Sequence, residues 1–318
     1  MKIRNLIISS IAITVVFTAA PSVPAKRSGG GDGESHHRKA VELIDAKQYD
    51  AAIAEFTKVV EGSPGDPVAY RNRGTAYRAA ARAAEAAGDA AGAATKYASS
   101  ISDFSKMIEL APKDPDAYAE RAQTEDMLRQ YESGLTDSNK ALELKSDDVL
   151  GLKSRGFAEI GLQQWDKAVA DFTAVIQKEP NDPLNLDRRA WANRNLRNYP
   201  AAVEDYTAIL QKNPTSEDAL VKRGATYAAM GEFEKAIADY QAALKLKPDD
   251  YDTIERMKYA QAQLAAKNAP PATPTPTPGA GLFTPAKIFI VLAILVIIAA
   301  VVRMLTRGKP EETSSRIR

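Results

Sequence analysis

The sequence predicts an all-α protein: an α-solenoid of six helix-turn-helix units with a capping helix, followed by a C-terminal transmembrane helix. Three observations carry that prediction. Residues 33–250 return the same residue types on a 34-residue ruler. Aspartate or serine stands before each unit, with proline next in three of them, as helix starts require. A single unbroken apolar run, Ile288 to Val302, lies near the C-terminus.

The chain begins with what reads as an export signal over residues 1–25. Lys2 and Arg4 precede an apolar run from Leu6 to Phe17, and Val23-Pro24-Ala25 offers a cleavage site. Six units follow at 33–66, 67–114, 115–148, 149–182, 183–216 and 217–250. Each is numbered here 1–34. Position 8 is small throughout (Ala40, Gly74, Ala122, Gly156, Ala190, Gly224), and so is position 20 (Ala52, Ser100, Gly134, Ala168, Ala202, Ala236). Small residues let two antiparallel helices approach closely. Aromatics at position 17 (Tyr49, Tyr97, Tyr131, Trp165, Tyr199, Phe233) fill the space beside that contact. Position 24 is aromatic too, except for Ser138 (Phe56, Phe104, Phe172, Tyr206, Tyr240).

Proline at position 32 is expected to stop each second helix, with Ser146 the exception. N-caps are expected at Asp32, Asp66, Asp114, Asp148, Asp182, Ser216 and Asp250. The second unit carries 14 extra residues between Tyr77 and Tyr97, alanine-rich with a turn at Gly88-Asp89. Split evenly, they lengthen each helix by about two turns, roughly 10 Å. The third unit has the weakest pattern, so a soft joint is expected near 131–146.

Residues 251–268 form a helix without a partner, the cap a solenoid needs. Residues 269–285 are a Pro/Thr-rich linker suited to an extended, semi-rigid stalk. Residues 286–305 reach the length of a membrane span, and the basic tail 306–318 points to the cytoplasmic side. With the export signal, this places the repeats in a periplasmic or extracytoplasmic compartment, on a single-pass membrane protein. A bacterial periplasm is favoured by the absence of cysteine and of any usable glycosylation sequon.

Composition narrows the chemistry. Lys+Arg 42 against Asp+Glu 41 leaves a net charge of +1, giving no basis for a nucleic-acid partner. Without cysteine there is no thiol nucleophile or thiolate metal site. The only histidines, His36 and His37, are adjacent and would point apart on a helix, so no metal site is expected. No cofactor motif appears.

The small-aromatic spacing over residues 33–250 resembles the tetratricopeptide repeat. It departs from that pattern at position 4 (His36, Tyr70, Tyr118, Leu152, Leu186, Leu220) and at position 7, which is basic in every unit: Lys39, Arg73, Arg121, Arg155, Arg189 and Arg223. Position 23 is acidic in every unit (Glu55, Asp103, Asp137, Asp171, Asp205, Asp239), so positions 7 and 23 are expected to pair within or between units. Solvent-exposed pairs of this kind would contribute roughly 0.2–1 kcal/mol each.

The resemblance implies a concave groove lined by positions 2, 5, 9 and 12 of the first helices. Carried over by register, the candidate groove residues are His37, Arg71, Thr75, Arg78, Gln123, Lys153, Phe157, Trp191 and Arg194. Asp116, Asp126, Asp187, Asp218, Asp252 and Glu255 share that face. The Lys/Asn carboxylate clamp of some family members does not map onto positions 5 and 9 here. The expected role is a non-catalytic scaffold or adaptor at the cell envelope that binds partner proteins or peptides, with self-association open. A chaperone-like receptor for extended peptides is the alternative reading, and an enzyme the third.

Overall fold

The computed structural model describes residues 31–269 and 285–306, and among them every regular element is an α-helix. The expected export signal, the linker from 270 to 284 and the tail beyond 306 lie outside the described residues. The chain divides into two compact units, Met1–Ala262 and Gln263–Arg318.

Six hairpins follow one another: α1 (Gly31–Asp45) with α2 (Tyr49–Gly62), α3 (Pro67–Ala86) with α4 (Ala90–Leu110), and α5 (Pro115–Met127) with α6 (Tyr131–Leu144). Then come α7 (Val149–Gly161) with α8 (Trp165–Lys178), α9 (Pro183–Asn195) with α10 (Tyr199–Lys212), and α11 (Glu217–Ala229) with α12 (Phe233–Leu246). α13 (Tyr251–Asn268) follows the last hairpin. From α1 to α12 each helix packs on the next in the chain, and α5 also packs on α7.

Helix starts obey local chemistry. The side chain of Asp66 accepts from Val68 N–H at 2.9 Å, Asp114 from Asp116 at 3.0 Å, Asp148 from Gly151 at 2.8 Å and Asp182 from Leu184 at 3.0 Å. Ser216 does the same for Ala219 at 3.3 Å. Asp32 departs from expectation. α1 begins one residue earlier, at Gly31, so Asp32 lies in the first turn, where its charge suits the helix dipole without capping it.

Every hairpin turn uses one device that the repeat pattern did not reveal. The turn residue, position 15 in five units and Gly88 within the insertion of the second, is left-handed in all six: Lys47, Arg129, Gln163 and Arg197 at φ 58–60°, Gly88 at 82° and Gly231 at 76°. The next amide then reaches back five residues, as in Gln130 N–H to Glu125 O at 2.9 Å and Asn198 N–H to Asn193 O at 2.8 Å. Only two of the six are glycine, which hid the signal.

The second helices all end at position 30, including α6, which ends at Leu144 with no proline after it. Proline at position 32 therefore is not what stops them. Lys145, after α6, turns extended at φ −149° just as its counterparts do before their prolines. Packing of the next hairpin sets the exit.

The core runs along the stack through position 24. Phe104, Phe172 and Tyr206 are wholly buried, and Tyr240 nearly so. Position 8 must be small because the ring lies against it: a Cβ at Gly156 would sit 2.9 Å from the Phe172 ring, and one at Gly224 the same distance from Tyr240. α3 and α4 have 20 and 21 residues where other first and second helices after α2 have 13 and 14, so the insertion divides evenly between them. α13 closes the stack by setting Ala260 and Met257 against Ala236, Tyr240 and Phe233.

α14 (Pro285–Thr306) belongs to the second unit. Its stretch Ala286–Met304 is long and apolar enough to cross a membrane, and none of it is buried.

Candidate functional site

The charged positions of the repeat separate into a frame and a face. The frame is the pairing of positions 7 and 23, and it lies within the unit in all six. Lys39 donates to Glu55 at 2.8 Å. Arg73, Arg121, Arg155, Arg189 and Arg223 each grip their own aspartate through Nε and one terminal nitrogen, as in Arg155 on Asp171 at 2.7 and 2.7 Å. The other terminal nitrogen reaches position 25 of the preceding unit: Arg121 to Ser105 at 3.1 Å, Arg155 to Asn139 at 3.4 Å, Arg189 to Thr173 at 3.2 Å and Arg223 to Thr207 at 3.1 Å. One guanidinium thus fixes the hairpin and its offset from its neighbour.

The five arginine pairs are not the solvent-exposed pairs that the sequence had suggested, and only Lys39 keeps its side chain largely in water. The carboxylates are buried, and burial raises the Asp205 pKa even with Arg189 opposing it. Their energetics follow the rule for buried pairs, where desolvation offsets much of the attraction.

The face is formed by the first helices. Arg71 bonds Asp116 at 2.8 Å and lies 3.6 Å from Glu120. Arg78 is buried, paired with Glu120 at 2.5 Å, with its guanidinium 5.4 Å from the centre of the Phe104 ring. Lys153 pairs with Glu179 and Asp182. Thr75 and Gln123 are half-buried. His37 is exposed and edge-on to Phe56. Phe157 is half-buried, with Phe172 edge-on at 5.5 Å and Arg188 over its ring at 5.4 Å. Trp191 is 38% exposed and stands edge-on to Trp165 at 5.2 Å. Of the acidic residues assigned to this face, Asp187 and Asp218 are both bonded to Lys222 at 2.7 Å. Asp126 differs: it is buried, and neither carboxyl oxygen has a partner.

Much of the charge on this face is therefore spent between successive units. Position 6, which sequence reasoning overlooked, does the reaching. Glu120, Ser154, Arg188 and Lys222 contact Arg78, the Ala119 carbonyl, Phe157 and Asp187 of the unit before. A signal existed in three units, where Glu120, Arg188 and Lys222 are matched in type to Arg78, Phe157 and Asp187 one unit earlier.

Three buried carboxyls line the middle of the stack. Burial pushes Asp126 up to about 8, helped by Glu125, and pushes Glu125 and Glu159 to about 7, helped by Asp137 and Asp171 respectively. Gly134 makes room for Asp126, for a Cβ there would strike its Oδ1.

An open cleft of about 480 Å³ lies between the first turn (Lys47, Tyr49, Asp50) and the alanines of the long hairpin (Ala80, Ala83, Ala84, Ala87). Another cleft of similar volume lies at the last joint, between Arg194, Ala225, Ala228, Ala229, Tyr240, Glu255, Arg256 and Tyr259.

Comparison with known proteins follows the same geometry. One tetratricopeptide repeat family model matches residues 217–250 and a second matches 155–217. No curated protein sequence matches at a significant level. Among solved structures, the chain is similar to YrrB, described as a tetratricopeptide repeat protein with an unusual peptide-binding site, at 20% identity and TM-score 0.50, covering 64% of this chain and 97% of that one. It is also similar to a chain of the APC/C hetero-tetramer Cut9-Hcn1, at 14% identity and TM-score 0.58, covering 72% of this chain and 43% of that one. At such identities the likeness is one of fold.

Proposed function

From the premise that this chain carries tetratricopeptide repeats, we propose that it is a non-catalytic scaffold whose first-helix face binds partner proteins and which α14 holds at a membrane. The observation that carries the reading is Trp191. A large aromatic stands 38% exposed on that face, held edge-on by Trp165, while the rings of the core at position 24 are buried. A large aromatic held in place by its neighbour and left open to solvent suits a binding hot spot. The peptide-binding site named for YrrB lies on the same kind of stack. The reading extends to an extracytoplasmic location for residues 33–268, supported by the apolar span Ala286–Met304 and the basic residues beyond it.

Two experiments test it. A photocrosslinking residue placed at 191 should capture discrete partners, whereas one at the exposed Gln241 on α12 should not; equal yields from both would remove the assignment of the face. The chain has no cysteine, so Ser146→Cys gives one labelling site, which a membrane-impermeant maleimide should reach in intact cells. Labelling only after lysis would reverse the topology.

A further inference from the structure

The pairing that runs between successive first helices stops at the last joint. In α13 the position that reaches back is Arg256, and the preceding unit offers it Val221, Ala225 and Ala228, none of which carries an acceptor side chain. Arg194 is stranded by the same register. The offset that sets Arg78 on Glu120 places Lys222 opposite Arg194, and Lys222 is already bonded to Asp187 and Asp218. Among the described residues neither Arg194 nor Arg256 has a carboxylate within 4.0 Å. Glu255, in the same cleft, bonds Lys258 at 2.9 Å. Arg194 Nε and the Tyr206 hydroxyl are buried against each other, and neither meets any further hydrogen-bonding group. The two guanidiniums share a cleft of about 480 Å³ floored by Ala225, Ala228 and Ala229 and walled by Tyr240 and the exposed Tyr259.

Resting on the reading that the first-helix face binds proteins, we propose that this cleft anchors an extended acidic segment of the partner, with an Asp or Glu side-chain carboxylate seated between Arg194 and Arg256. Guanidinium forks match a carboxylate in shape and charge. The alanine floor lets a peptide backbone approach, and Tyr259 supplies an apolar wall for the neighbouring residue. A nucleic acid would need a run of cations, but Lys153 and Lys222 further along the face are neutralised by their own carboxylates.

The test uses the full chain in detergent micelles and a dye-labelled peptide, Gly-Ala-Glu-Ala-Glu-Ala-Gly, with both ends blocked. Fluorescence anisotropy should show it binding about tenfold or more tighter than its glutamine counterpart, the value of one charge-assisted contact. Raising the salt should narrow that gap. Arg256→Gln and Arg194→Gln should each abolish most of the preference while leaving the glutamine peptide unchanged. Arg256 is exposed, so its variant keeps the fold, as circular dichroism melting would verify. Equal binding of the two peptides, or an Arg256→Gln variant that keeps the preference, would overturn the proposal. So would tighter binding of a glutamate-free peptide with a free C-terminal carboxylate, or of an oligothymidylate of equal charge. If crosslinking from position 191 persists in any of those cases, the acidic anchor fails alone. If crosslinking from position 191 is absent even with Arg194 and Arg256 intact, the face itself has been misassigned.

Discussion

The hairpins α5–α6 and α9–α10 share a register, a helix length and a frame, yet their interiors differ. Both have alanine at position 8 and a bidentate pair across the hairpin, Arg121 with Asp137 and Arg189 with Asp205. Both turn through a left-handed arginine, Arg129 and Arg197, at φ 60°. Inside, α10 buries the Tyr206 ring among Leu186, Ile209, Leu210 and Leu220. At the same position α6 buries Ser138, whose hydroxyl donates to Leu135 O at 3.2 Å in its own helix. At position 12 one hairpin presents Arg194 to a cleft, while the other folds Asp126 inward beside Gly134. The comparison teaches that the polar frame is enough to set where a hairpin sits, and the aromatic core decides how firmly it stays.

The sharpest way to break that lesson is to remove the ring. Tyr206→Ala should cost about 3–5 kcal/mol, whereas Ser138→Ala should cost less than about 1 kcal/mol. Urea unfolding of both variants would show it, and similar losses would mean the core does not distinguish the two hairpins. The frame should respond evenly: Arg189→Met and Arg121→Met should each cost about 2–3 kcal/mol. That is below the roughly 3–5 kcal/mol of a fully buried broken pair, because both guanidiniums keep some contact with water. Unequal costs would show that the frame is not a shared element.

The hairpins should also part with pH. Asp126 has an unfolded value of 3.8 and a folded value of about 8, and Glu125 goes from 4.5 to about 7. The folded state therefore holds these protons more tightly. Their contribution is fully present below about pH 4, declines as pH rises, and is gone once pH passes the folded values. The slope is at most about 1.4 kcal/mol per pH unit for each group. Hydrogen exchange between pH 5 and pH 9 should loosen α5 and α6 more than α9 and α10. Asp126→Asn should flatten the difference, and protection that stays uniform along the stack would contradict both the titration and the soft joint expected near 131–146. The smallest effect should be shared: Arg129→Gly and Arg197→Gly should each gain about 1 kcal/mol by relieving left-handed strain, read as a rise in the urea midpoint.

Much of this was legible beforehand because repeat register is a one-dimensional property. The start of each hairpin at Asp66-Pro67, Asp114-Pro115 and Asp182-Pro183, the smallness of position 8 against a ring at 24, and the equal lengthening of α3 and α4 follow from composition and spacing. The identity of the frame partners was legible too, for a basic position 7 and an acidic position 23 recur without exception. The turn at position 15 was not, since Lys47, Arg129, Gln163 and Arg197 hide a conformation that glycine would have announced.

The amino-acid order alone thus determined that the chain would be stacked helix pairs with an apolar helix after them, because helix caps and hydrophobic period act within a few residues. The tertiary structure alone decided which charges remain open. Whether Arg71 meets Asp116, whether Asp126 turns inward, and whether Arg194 and Arg256 are left unpaired depends on the offset between neighbouring hairpins. That offset is set by ring packing and by guanidiniums bridging units, contacts made across separations of sixteen residues and more. Only the assembled stack brings those groups within reach of one another.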